Sequence, residues 1–289
     1  MINFENINNN YDSYSFLIDF YQQNKNKANQ TIDISFKYVT WIAANTCSMI
    51  GAIFQKLQRS LNTVRIFHIE RKIEDILKRN GFLAFLGYPR IPDRQQTTIE
   101  YLKLSPRDNR YFSEYIRDDL LGRKEMPTMS NRLKRKISEG IYEIFVNAVM
   151  HSGTKEGIFT CGQFFPQKNT IEFMITDLGI GIRNRINQYL NESFSAVEAI
   201  EWAMKERNTT KPNDSGGLGL AILEHFITLN KGKIQVISND GFWELSERGI
   251  DKQSFSGEFP GTAVNICINT DDPMQYSLYN EPIRDEDIF

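Results

Sequence analysis

The chain has little of what would tie it to a metal, a disulfide framework, a membrane or a nucleic acid. Its three cysteines, Cys47, Cys161 and Cys267, lie far apart among apolar or small residues. No CxxC or Cys/His cluster forms, so neither zinc nor disulfide bonding is expected, which fits a reducing cytoplasm. Neither sign of charge is in excess: 34 Lys and Arg against 36 Asp and Glu leave a net charge of -2. That balance gives no electrostatic reason to expect nucleic acid or an anionic membrane as partner. The basic run Arg132, Lys134, Arg135 and Lys136 reads as a solvated helix face. Long apolar runs are missing too. The longest, residues 41–54, is broken by Asn45, Thr46 and Ser48 and falls short of the ~18–20 residues a membrane span needs. Residues 1–10 are Asn-rich and unlike a signal peptide.

What is present is an ordinary globular composition over 289 residues. At ~100–200 residues per domain, two domains are expected. Residues 1–30 are polar around an apolar stretch, residues 14–21, and read as a mobile leader with one short element. Residues 31–122 alternate strand and helix patterns: strands at 32–36, 63–67 and 97–104, and helices at 41–61, 70–79 and 109–121. Asn80-Gly81 looks like a helix C-cap. Residues 122–129, with Gly122 and Pro127, read as a boundary. A second unit, residues 127–270, then opens with a long helix over 130–151. Strands at 158–163 and 171–177 follow, then helices at 193–206 and 219–229, then strands at 233–238, 241–245 and 262–269. Residues 271–289 form an acidic tail with Pro273 and Pro282. The expected fold class is α/β, an α+β two-layer sandwich behind a smaller α/β unit.

Three motifs in the second unit carry chemistry. Glu143, Asn147 and His151 are spaced i, i+4, i+8, so they share one helix face with a drift of ~40° per step. A neutral amide oxygen beside a carboxylate suits a magnesium ion that keeps its waters and its phosphates. Asp177 ends an apolar strand and precedes Gly179 and Gly181. A carboxylate there can accept a hydrogen bond from a base amino group, while the glycines let the backbone come close. Gly216-Gly217-Leu218-Gly219-Leu220 opens a helix whose free N–H groups favour phosphate. Thr209, Thr210 and Lys211 lie just before it, within reach of the same phosphates. Each motif alone is common on surfaces and strand ends; four in order are not, the fourth being Pro260-Gly261-Thr262.

This series resembles the N, G1 and G2 boxes and the final GT strand of the GHKL (histidine kinase-like) ATPases. The resemblance implies a Bergerat fold that binds Mg-ATP. Asn147 would then ligate Mg²⁺, Asp177 would accept from adenine with Thr262 beside it, and Glu143 would act as general base. Gly179, Gly181, Thr209, Thr210, Lys211, Gly216, Gly217, Leu218 and Gly219 would line the nucleotide, and residues 183–215 would form a mobile lid. The string E-x-x-x-N-A-x-x-H is most similar to that of the anti-sigma-factor serine kinases, with His151 as a structural cap.

The first unit is similar to a STAS domain, but its switch position reads Ala43-Ala44-Asn45, without a hydroxyl. The nearest hydroxyls are Thr46 and Ser48. The resemblance therefore implies a STAS-like module, over residues 31–122, that contacts a protein partner rather than accepting phosphate. His68 follows a short strand and lacks the helix that an autophosphorylating histidine kinase needs. With only residues 271–289 after the last strand, no transducer domain for a DNA or client clamp is expected. Two classes stay open: a kinase or ATPase acting on a separate protein, and a non-catalytic ATP-gated interaction module. A homodimer is compatible with either.

Overall fold

The computed structural model describes residues 1–151, 156–205, 218–279 and 281. It is a mixed α/β structure built on two sheets. In chain order the elements are β1 (Ile2–Asn3), α1 (Tyr11–Asn24), β2 (Thr31–Ser35), α2 (Cys47–Gln58), β3 (Thr63–Phe67), α3 (Arg71–Arg79), α4 (Phe82–Phe85), β4 (Thr98–Leu104) and α5 (Asn109–Tyr115). They continue with α6 (Asn131–His151), β5 (Ile158–Phe165), β6 (Thr170–Asp177), α7 (Gly181–Leu190), α8 (Ala196–Met204), α9 (Leu218–Leu229), β7 (Lys233–Ser246) and β8 (Gly249–Asn269). The small sheet is parallel, in the order β1-β2-β3. The large one has the order β4-β5-β6-β8-β7, with every neighbouring pair antiparallel.

Side chains alternate across a strand, and β6 divides its residues accordingly. Ile171, Phe173 and Ile175 enter one core with Leu133, Ile137, Ile141, Phe145 and Ala148 of α6, Phe112 of α5 and Leu223, Phe226 and Ile227 of α9. Those α6 residues recur every three or four positions, the apolar stripe of a helix lying on a sheet. Met174 faces the other way, into a core with Tyr14, Leu17 and Ile18 of α1 and Ile50, Ile53 and Phe54 of α2. The large sheet is therefore covered on both faces.

Several expectations differ from what is seen. The segment expected as a mobile leader is core: Phe4, Ile7, Tyr14, Leu17 and Ile18 are fully buried, and α1 starts at an Asn10 side chain that accepts from the Ser13 N–H. Its Asn and Gln residues misled because most of them are indeed exposed, while the apolar residues set between them turn inward. The helix expected over 41–61 begins only at Cys47. Residues 44–46 form a single 3₁₀ turn, and Ile42 makes a β-bridge to Ile7. Thr98–Leu104, read as part of the unit 31–122, pairs with β5 as an edge of the large sheet. The helix expected over 109–121 passes at Ile116 into a wider π turn that ends at Leu120. An extra helix, α7, occupies the start of the segment expected as a lid. Its Asn and Arg content hid an Ile182, Ile186, Leu190 spacing of four. The strands expected at 241–245 and 262–269 belong to longer partners, β7 and β8, which run on as a two-stranded arm to a turn at residues 247–248. Tyr276, in the expected tail, is buried and bridges Met129. Among the described residues no helix is long and apolar enough to cross a membrane.

Candidate functional site

β6 ends at Asp177, which pairs in register with Thr262 of β8. Asp177 stands five positions after Glu172, an odd offset, so alternation turns Asp177 towards the α6 and α9 face and Glu172 away from it. The Asp177 backbone is packed closely against β8. A Cβ on Gly261 would sit 2.0 Å from the Asp177 carbonyl oxygen, so only glycine admits that approach. Burial, with 6% of the residue exposed, pushes its carboxyl up to about 7. Hydrogen bonds from the backbone N–H groups of Gly179 and Thr262 act in the opposite direction. Oδ1 finds no hydrogen-bond partner among the described residues. A buried carboxylate oxygen left open is costly, and this one lies at the end of a strand beside a glycine turn.

The turn is held from β7. Gly181, at φ 78°, begins α7 in the left-handed region, and a Cβ there would meet Asn239 Oδ1 at 2.3 Å. The Asn239 amide donates to the Ile180 carbonyl at 3.3 Å and accepts from the Arg183 N–H at 3.3 Å. The buried Ser238 hydroxyl accepts from the Ile182 N–H at 2.9 Å, lies 3.1 Å from the Gly261 carbonyl, and meets the Thr262 hydroxyl at 2.9 Å. One serine thus joins the turn after β6 to the strand carrying Thr262. Ser238 and Asn239 were not expected at the site. Ser238-Asn239-Asp240-Gly241 reads as turn chemistry, and that signal conceals a structural clamp.

Asp177, Gly179, Gly181 and Thr262 therefore come together. Glu143 and Asn147 stand on α6, both half-buried. Phe112 of α5 stacks on Phe145, and Asn147, two residues on, is ~200° further round the helix, on the flank away from α5. α6 lies on the same sheet face as Asp177 and beside α9. Leu218 and Gly219 form the first turn of α9. Thr209, Thr210, Lys211, Gly216 and Gly217 lie outside the described residues. Among the described residues no group of three or more His, Cys, Asp or Glu could hold a metal by itself.

The residues expected at a STAS-like switch position are buried and face inward. Ala44, Asn45, Thr46 and Ser48 are fully buried. The Thr46 hydroxyl donates to the Ala43 carbonyl, and the Ser48 hydroxyl reaches the Phe159 carbonyl and the Thr176 hydroxyl. His68 follows β3 at φ 56°, its Nδ1 3.2 Å from Ser35 Oγ. No family model matches the chain, and no curated protein matches it.

Proposed function

We propose that the chain is a Mg-ATP-binding regulatory protein with a GHKL-type, Bergerat-fold site, acting as kinase, ATPase or nucleotide-gated switch on a separate protein. The observation that carries the reading is the open Oδ1 of Asp177. It is a buried acceptor without a donor, at a glycine turn, facing the same layer as the two helices that carry the other motifs. An adenine amino group is a donor of the required kind. Gly261 lets β8 pack directly on the Asp177 and Leu178 backbone, which fixes the strand end that carries this acceptor. Magnesium fits in a different way. Waters and a triphosphate together bring most of the ion's oxygen ligands, so one neutral protein oxygen, that of Asn147, is enough. The ion would neutralise phosphate charge when bound. Glu143, one turn earlier on α6, would take a proton from the attacking hydroxyl or water.

The first turn of α9 would meet the phosphates with free N–H groups and the positive end of its dipole. The N-terminal region would present the partner surface. The position of His68 beyond a strand, rather than on a helix, weighs against autophosphorylation at a histidine. Calorimetry with Mg-ATP tests the reading. Asn147→Ala, Asp177→Ala and Gly219→Ala are each expected to weaken binding about tenfold, or ~1.4 kcal/mol. Unchanged affinity in all three overturns the site.

A further inference from the structure

The arm formed by the distal parts of β7 and β8 is gripped on both faces. On one, Gly241 lies against α8, where a Cβ would come within 2.9 Å of Ile200 and 3.0 Å of Ala196. On the other, Gly257 lies against α1, where a Cβ would fall 2.7 Å from the Gln22 Cγ. α1 adds polar ties: Tyr11 OH donates to the Ser254 carbonyl at 2.7 Å, Ser256 meets Asp19 at 3.2 Å, and Gln22 Nε2 donates to the Glu258 carbonyl at 2.6 Å. The Tyr11 ring stacks on Phe255 with centroids 4.8 Å apart.

One side chain connects this arm to the turn that follows Asp177. Arg183, in the first turn of α7, reaches Asp240 on β7 at 2.6 Å and Glu258 on β8 at 2.8 Å. Its side chain is 23% exposed, and the planar guanidinium spans two carboxylates as a fork. Glu258 is thus tied through its carboxylate to the turn and through its carbonyl to α1.

We propose that Arg183 is a positioning residue for the nucleotide turn, and that through Glu258 it makes α1 part of that turn's support. The inference rests on the nucleotide reading above and assigns a regulation to it. Whatever displaces α1 loosens the arm, and the arm then holds the Asp177 turn less firmly. By linkage, nucleotide on the turn tightens α1 on the arm.

Calorimetry of the full-length chain with Mg-ATP, together with hydrogen exchange over residues 11–24, tests this. Arg183→Ala is expected to weaken Mg-ATP binding about fivefold, and Gln22→Ala or Gly257→Leu about threefold. Arg183→Lys recovers part of the loss. Combining Gln22→Ala with Arg183→Ala leaves the loss near fivefold rather than multiplying it to about fifteenfold, because both act through one connection. In the wild type, Mg-ATP slows exchange in α1; in Arg183→Ala at saturating nucleotide it does not. A wild-type chain that takes up no Mg-ATP overturns the nucleotide reading and this inference with it. A wild-type chain that binds, with Arg183→Ala binding equally well or the two losses multiplying, overturns only the coupling.

Discussion

Strand β6 carries two buried carboxylates, and they are treated in opposite ways. Glu172 points towards the N-terminal side of the sheet. There it accepts from Asn9 and, at 3.4 Å, from Asn265. Asn9, Asn45, Asn265, Gln235 and Tyr14 then bond to one another in a closed network. Burial raises its pKa, while the charge of Lys233 and the amide of Asn265 oppose the rise. Asp177, five residues on and facing the other side, keeps one oxygen open. A fully bonded polar network fixes which surfaces dock and in what register, whereas an unpartnered acceptor keeps hydrogen-bonding capacity in reserve. The N-terminal face is closed by the chain's own side chains, and the α6 and α9 face is the one proposed to receive the nucleotide.

Variants on either face can break this contrast. The largest effect is expected from Glu143→Ala on the receiving side. Turnover or phosphate transfer should fall by about 10²–10⁴ while Mg-ATP affinity and thermal midpoint hold, because a general base acts on rate. Loss of binding by a folded Glu143→Ala would make the residue structural. Glu172→Ala should do the reverse. It removes the acceptor shared by the Asn9 and Asn265 amides and should cost about 3 kcal/mol by urea denaturation, with little change in the nucleotide affinity of the folded fraction. An unchanged midpoint would show that the network holds nothing together.

A smaller effect is expected from pH. The raised pKa of Asp177 means that the folded chain binds its proton more tightly than the unfolded chain does. The resulting stability is complete below the unfolded value and is lost as pH rises through about 7. Between pH 5 and pH 8 this amounts to about 2–3 kcal/mol. Asp177→Asn, neutral throughout, should lack that loss. Parallel stability curves for the two proteins would show that Asp177 does not titrate near neutrality in the fold.

The receiving face was the more legible in the sequence. Asp177, Gly179, Gly181 and Thr262 were expected together; Asp177 pairs in register with Thr262 and the two glycines follow in the next turn, because a strand end followed by glycines leaves few ways to fold. Ser238 and Asn239, which hold that turn, were not legible. Their contacts are made across a sheet pairing that local pattern does not encode. The N-terminal face was misread for the same reason. Asn9, Asn45 and Tyr14 are joined in one polar network only when Gln235 and Asn265 arrive from more than 200 positions away. The neutral alternation of Thr98–Leu104 did not say which of two sheets it would join.

The docking of α1 also sets the order in which a nascent chain can finish. Gln22 meets Glu258 across 236 residues, and Tyr11 meets Ser254 across 243. A ribosome adding about 5–20 residues per second needs roughly 12–50 s to make the second partner after the first. Throughout that interval α1 lacks its partners on β8, although its Tyr14, Leu17 and Ile18 are among the most deeply buried residues of the finished protein. The first helix made is thus among the last to be secured, and the unfinished chain carries an exposed apolar surface that a chaperone can hold and a premature stop would leave bare.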